Sequence, residues 1–117
     1  MSDSKESFND FRARLNERIL EQDHAAIKRM FALDTLTYQD GALDRRTKEL
    51  LGLAASMVLR CDDCIRHHLK SCIELGVSRA ELFDAFSVAL TVGGTIVIPH
   101  LRRAVDMLDQ LVSERKP

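Results

Sequence analysis

The sequence predicts an all-α domain of about five to six helices. Apolar residues recur at spacings of three and four through most of the chain, which is typical of amphipathic helices. Helix-capping residues and glycines separate these periodic segments. The β-branched run at residues 95–98 has no partner strand elsewhere, so we interpret it as helix or loop.

The first two helices are predicted in the N-terminal third. Apolar residues at helical spacing mark the first one: Phe8, Phe11, Leu15, Ile19 and Leu20. The second covers about residues 23–36, and residues 37–41 form a turn that ends in glycine. We expect one domain over residues 1–117, with these helices at 1–40 and a core at about 43–108.

The third helix is predicted to begin after Asp44, a good N-cap, and to extend to about Leu59. It carries no charge between residues 50 and 59, which predicts that it is buried on every side. Glu49 precedes this stretch, in line with small residues that would let another helix approach it. Its carboxyl could favour the positive end of the helix, or it could transfer protons from the edge of an apolar surface.

Capping signals place the remaining helices. The fourth is predicted to end at Leu75, with Gly76 as its C-terminal cap. Ser78 and Glu81 fit a capping box that opens the fifth helix. Gly93-Gly94 interrupts the pattern, and a last helix is expected over about residues 95–112, with Pro99 in its first turn.

Composition excludes several classes of function. With 17 basic and 18 acidic residues, the net charge of −1 does not favour nucleic-acid or anionic-membrane binding. The longest uncharged run, residues 85–99, has 15 residues and is too short for a membrane span. The polar N-terminus does not resemble a signal peptide, so we expect a cytoplasmic protein.

Two uncharged stretches, residues 50–59 and 85–99, supply more apolar surface than one small helical bundle can readily cover. We therefore expect a homo-oligomer that buries part of this surface between subunits.

The chemistry is concentrated at Cys61, Cys64 and His68, which fall within about 60° of one another on a helix. A thiol must lose its proton to react, and a helix N-terminus or a neighbouring histidine favours the thiolate. In a reducing compartment, a close cysteine pair is more often catalytic, redox-sensing or metal-binding than structural. The pattern therefore indicates a redox-active dithiol.

Other interpretations of these residues are weaker. A structural zinc site needs four ligands, and the stripe supplies three, because Cys72 lies about 12 Å further along the helix. The cysteines could also be buried small hydrophobes, and Cys72 is most simply a core residue. His67 points about 100° away from the stripe and is expected to be solvated. His24 and His100 have no visible partners, and we interpret Arg45, Arg46 and Lys48 as a solvated face.

In order and spacing, Glu49, Cys61, Cys64 and His68 resemble the alkylhydroperoxidase D-like (AhpD-like) branch of the carboxymuconolactone decarboxylase family. The likeness covers about residues 43–108, including the Gly93-Gly94 break. It implies an all-helical domain that assembles as a homotrimer or homohexamer. It also implies a thiol-dependent peroxidase or disulfide reductase with an antioxidant role, which needs no flavin, haem or metal.

The resemblance also implies roles for the four residues. Cys64 would attack a small hydroperoxide and become a sulfenic acid, and Cys61 would resolve it as a disulfide. Glu49 and His68 would form the proton relay, and a dithiol electron donor would restore the thiols. Proximity to the helix N-terminus instead favours Cys61 as the more acidic thiol, whereas the His68 spacing favours Cys64, the assignment we follow.

One position departs from the family pattern. Well-characterised members carry a second histidine between the cysteines, where this chain has Asp63, whose charge opposes thiolate formation. Two other functions stay open: a carboxymuconolactone-type decarboxylase, which needs no cysteine pair, and a non-enzymatic redox sensor or interaction protein.

Overall fold

The computed structural model describes residues 6–115, and the prediction of an all-α fold is confirmed for them. This part of the chain contains no strand. The helices are α1 (Phe8–Glu21), α2 (Ala25–Thr37), α3 (Arg45–Val58), α4 (Asp62–Glu74), α5 (Arg79–Gly93), a 3₁₀ helix (Thr95–Val97) and α6 (Ile98–Glu114).

The described part of the chain divides into two compact units, one that ends at Tyr38 and one that begins at Gln39. The first contains α1 and α2, and neither helix has a buried residue. The Ser7 side chain caps α1 by accepting from the Asp10 N–H at 3.1 Å. His24 caps α2 through its Nδ1, 3.4 Å from the Ile27 nitrogen, so this histidine has a local structural role. That the whole chain forms a single domain stays a prediction.

In the second unit, the predicted capping residues mark the starts of α3 and α5 and the end of α4. The Asp44 carboxylate accepts from the Thr47 N–H at 2.8 Å and caps α3. After α4, Gly76 takes a positive φ of 81°, which a residue with a Cβ adopts at a cost. The predicted capping box between Ser78 and Glu81 is present at the start of α5.

Gly93 and Gly94 produce the predicted break between α5 and α6. Gly94 takes a φ of 84° and ends α5. A Cβ on Gly93 would lie 2.6 Å from Cγ2 of Val97, so a larger residue would push the 3₁₀ helix away. Residues 95–98 form this turn and the start of α6, and Pro99 stands in the first turn of that helix, where its missing N–H costs nothing.

The core of the second unit is almost entirely aliphatic, and α3 to α6 and the segments between them supply it. Its fourteen buried hydrophobic residues are Leu53, Met57, Ile65, Leu69, Cys72, Val77, Leu82, Phe86, Ala89, Val97, Ala104, Met107, Leu108 and Leu111. Removing this apolar surface from water is the main stabilising contribution to the unit.

The expectation that α3 is buried on every side is wrong for the single chain. Leu53 and Met57 are fully buried, but Leu51 is 56% and Leu59 is 76% exposed. Helix α5 likewise exposes Val88 and Val92. An uncharged stretch therefore does not by itself establish burial within one chain, since the packing of α4 to α6 covers one face only.

None of the helices formed by residues 6–115 is both long enough and apolar enough to cross a membrane.

Candidate active site

A tight connection between α3 and α4 places the first cysteine. Arg60 takes a left-handed φ of 62°, and its N–H donates to the Met57 carbonyl at 3.0 Å. The Cys61 N–H then donates to the Ser56 carbonyl, also at 3.0 Å. Together these bonds form a Schellman motif, which fixes Cys61 against the end of α3.

Cys61 is the N-cap of α4, and its Sγ accepts from the Cys64 N–H at 3.3 Å. The two cysteines form a disulfide, with Cα atoms 5.3 Å apart. As whole residues, Cys64 is exposed and Cys61 is half-buried.

Glu49 and His68 form a buried hydrogen-bonded pair between α3 and α4. The imidazole Nδ1 lies 2.7 Å from the carboxylate Oε1, and the two residues are 3% and 8% exposed. A carboxylate can only accept, so Nδ1 carries the hydrogen and Nε2 is the nitrogen that can exchange a proton. His68 lies one helical turn beyond Cys64 on α4.

The family model for carboxymuconolactone decarboxylases matches residues 25–107, which include all four of these residues. The chain belongs to the carboxymuconolactone decarboxylase family. Its disulfide joins the Cys-x-x-Cys pair that, together with Glu49 and His68, carries the resemblance to the AhpD-like branch.

Known relatives agree with this placement. A family protein of Thermotoga maritima, for which an involvement in the antioxidative response has been suggested, is 53% identical, with a TM-score of 0.87 over 91% of this chain and 90% of that one. A Legionella pneumophila family protein is 25% identical, with a TM-score of 0.79 over 89% and 92% of the two chains.

Sequence relatives include the alkyl hydroperoxide reductase AhpD of Corynebacterium kroppenstedtii, 27% identical over 64% of this chain and 42% of the relative. Protein 4 of the cox locus of Paracoccus denitrificans is 32% identical over 68% of this chain and 72% of its own length. The match to AhpD places this family member in the AhpD-like branch.

The third cysteine of this family member is separate from the reactive pair. Cys72 is fully buried as a free thiol, one turn beyond His68. Burial raises the pKa of Cys72 to about 12, and the nearby Glu49 carboxyl adds to the effect. Cys72 therefore stays protonated near neutral pH and acts as a core residue, as its sequence pattern indicates.

The reading of Arg46 as part of a solvated face is wrong. Arg46 is half-buried, and its guanidinium binds the Glu81 carboxylate across α3 and α5. The hydrogen bond from Arg46, followed by those from Ser78, lowers the pKa of Glu81 to about 2.

His100 has a partner that the sequence does not reveal. Its Nδ1 lies 2.8 Å from the Asp62 carboxylate, and Arg103 contacts the same carboxylate at 3.3 Å. Asp62 is the first residue of α4, next to Cys61, whereas His100 is 38 residues away on α6. No sequence pattern links positions so far apart. The only local sign that Asp62 has a functional role is its place next to Cys61.

Among residues 6–115, no group of three or more His, Cys, Asp or Glu side chains is placed to hold a metal ion. The disulfide also occupies both thiols that a zinc site on this stripe would use. The structure thus brings a cysteine pair, a buried acid and an imidazole together on α3 and α4.

Proposed function

We propose that this family member is a thiol-dependent oxidoreductase that reduces small hydroperoxides, or disulfides, in an antioxidant role. The observation that carries the proposal is the buried Glu49–His68 pair one turn from the Cys61–Cys64 disulfide. A redox-active cysteine needs a group to take its proton and a group to return one to the product, and this pair can do both.

In the peroxidase reaction, the Cys64 thiolate attacks the terminal oxygen of the hydroperoxide. The S–O bond forms as the O–O bond breaks, and the alkoxide takes a proton to leave as an alcohol. Cys61 then attacks the sulfenic sulfur, so that the S–S bond forms and the hydroxyl departs as water. The sum is one hydroperoxide and one dithiol converted to one alcohol, one water and one disulfide.

A dithiol donor returns the pair to its reduced form by two thiol–disulfide exchanges. Because Cys64 is the more exposed residue of the pair, the donor is expected to attack its sulfur. If the reduced pair exchanges with a substrate disulfide instead of reacting with a peroxide, the protein acts as a disulfide reductase. No metal, haem or flavin takes part in either reaction scheme.

The assignment of Cys64 as the attacking thiol rests on its exposure and on its place one turn before His68. Cys61 has the helix N-terminus in its favour, since its Sγ already accepts an N–H there. Dimedone trapping of a sulfenic acid in single-cysteine variants separates the two. Labelling of Cys64 in Cys61→Ser supports the assignment, and labelling only of Cys61 in Cys64→Ser reverses it.

The relatives support the redox function at a coarser level. One is an alkyl hydroperoxide reductase, and another has been connected with the antioxidative response. The disulfide favours this chemistry over lactone decarboxylation, since that reaction has no use for a cysteine pair. By the same resemblance, we propose a cytoplasmic homotrimer or homohexamer.

Steady-state consumption of an organic hydroperoxide with excess dithiothreitol tests the proposal. We expect turnover by the wild type and by Cys72→Ala, a matched removal of a cysteine outside the pair, and none by Cys64→Ser. If the wild type consumes neither hydroperoxide nor a disulfide substrate, the enzymatic proposal is wrong. A redox change in assembly without turnover would then favour the sensor function.

A further inference from the structure

A cluster of Asp62, His100 and Arg103 adjoins the reactive disulfide and has no part in the proton relay described above. Asp62 is the first residue of α4 and follows Cys61 directly. The imidazole and the guanidinium reach its two carboxylate oxygens from α6, at 2.8 Å and 3.3 Å. His100 is largely buried, with 16% of its side chain exposed, so the contact is not a loose surface pair.

The carboxylate of Asp62 has two opposing effects at this point. As an acidic residue in the first turn, it favours the helix macrodipole and so stabilises α4. Next to Cys61, however, its negative charge opposes a Cys61 thiolate. Asp63 adds a second negative charge in the same turn.

Hydrogen bonds from His100 and Arg103 offset part of that charge. Since a carboxylate only accepts, the His100 Nδ1 carries the hydrogen, and the guanidinium of Arg103 is cationic at any relevant pH. The two donors come from successive turns of one rigid helix, so they hold the Asp62 carboxylate in one orientation.

We propose that His100, with Arg103, is a positioning residue that sets the reduction potential of the Cys61–Cys64 pair through Asp62. The reduced protein gains from the cluster, because a thiolate on either cysteine at the start of α4 is more stable when the charge of Asp62 is partly offset. The disulfide has no such charge to stabilise. The cluster therefore favours the dithiol and makes the pair a stronger oxidant.

The inference rests on the proposed redox function, and a redox equilibrium measures it without any peroxidase assay. The full-length protein is equilibrated at pH 8 in dithiothreitol or glutathione redox buffers, and its free thiols are counted by alkylation and mass spectrometry. For His100→Leu, we expect an equilibrium shift towards the disulfide of about three- to tenfold, the scale of a partly exposed charge contact. Asp62→Asn should shift it in the opposite direction.

Two further variants separate this role from a structural one. In the Asp62→Asn background, His100→Leu should change the equilibrium less than about twofold, because there is no carboxylate charge left to offset. His100→Gln, whose amide can donate to Asp62, should recover part of the wild-type value. Arg102→Leu, which removes an exposed cation from the same helix, is the matched control and should leave the equilibrium unchanged.

The inference is overturned if His100→Leu titrates like the wild type, even where its unfolding temperature falls, because the contact is then structural only. An equal shift with and without the Asp62 carboxylate also overturns it. If the wild-type pair does not reduce and reoxidise reversibly, the proposed function itself fails. If it does so without consuming peroxide, only the peroxidase reaction is lost.

Discussion

Asp63 is the residue at which this chain departs from the AhpD-like pattern, and the structure places it exposed in the first turn of α4. Its charge there favours the helix and disfavours a thiolate on either side of it. Asp63 therefore stabilises α4 and, under the proposed function, makes the two cysteines less reactive.

Replacing Asp63 by histidine should raise the rate of hydroperoxide consumption. We expect about a tenfold increase for Asp63→His near neutral pH, since one charge is removed and a proton donor is added. Asp63→Asn removes the charge alone and should give a smaller increase. A rate for both variants at or below the wild-type rate would contradict this assignment of the charge effect.

Glu81 gives a stability prediction with a definite sign. Its pKa falls from an ordinary value of 4.5 to about 2 in the folded protein, chiefly because Arg46 binds it. The stabilisation is therefore complete above about pH 4.5 and is lost as the pH falls towards 2.

Glu81→Gln should abolish the loss of folding stability that protonation of Glu81 causes at acidic pH. Chemical denaturation at several pH values between 2 and 7 measures the free energy of unfolding. The control is Glu17→Gln, which removes an exposed carboxyl on α1. The variant should lose less stability than the control between pH 4.5 and 2. Parallel curves for the two would show that the Arg46–Glu81 pair does not contribute.

At the level of elements, capping residues made the helix ends predictable. Asp44, Gly76 and the Ser78–Glu81 box all act in the structure as their positions in the sequence indicate. These signals are local, because a cap satisfies backbone groups within four residues of itself. Contacts across long separations, such as Arg46 with Glu81 or His100 with Asp62, depend on how helices pack and leave no trace in spacing.

The Glu49–His68 contact was partly predictable, unlike the long-range contacts, but less so than the helix caps. The small residues aligned with Glu49 indicated that a helix packs there, and the short connection made α4 the nearest candidate. The hydrogen bond itself required the register of the two helices, which the turn at Arg60 and Cys61 determines.

The backbone at Arg60 is strained, and a glycine at this position would remove the strain. A residue with a Cβ at a φ of 62° is strained, and glycine is the usual residue at this position of a Schellman motif. Arg60→Gly should raise the free energy of unfolding by about 0.5–1 kcal/mol, after the loss of chain entropy is subtracted. Arg60→Ala keeps the strain, so an equal gain in that control would contradict this explanation.

At the level of the whole molecule, the two uncharged stretches predicted an apolar surface larger than one chain covers. The structure does expose apolar residues of these stretches: Leu51 on α3, Leu59 just after it, and Val88 and Val92 on α5. Assembly of several chains, which would bury part of this surface, stays a prediction.

Light scattering coupled to size exclusion tests the assembly. We expect three or six chains per particle at micromolar concentration, and a smaller particle for Leu59→Glu, because a charge on an apolar interface is costly to bury. Glu17→Gln should elute as the wild type does. A monomer for the wild type would refute the oligomer.

The central claim is that Glu49 and His68 provide the proton route for Cys61 and Cys64. Rapid mixing of the reduced protein with one equivalent of hydroperoxide, followed by acid quenching and mass spectrometry, measures the rate of Cys61–Cys64 disulfide formation in a single turnover. Glu49→Gln keeps the shape and the hydrogen bond to His68 but removes the charge, and we expect the rate to fall about a hundredfold. A rate equal to that of the wild type would contradict the claim.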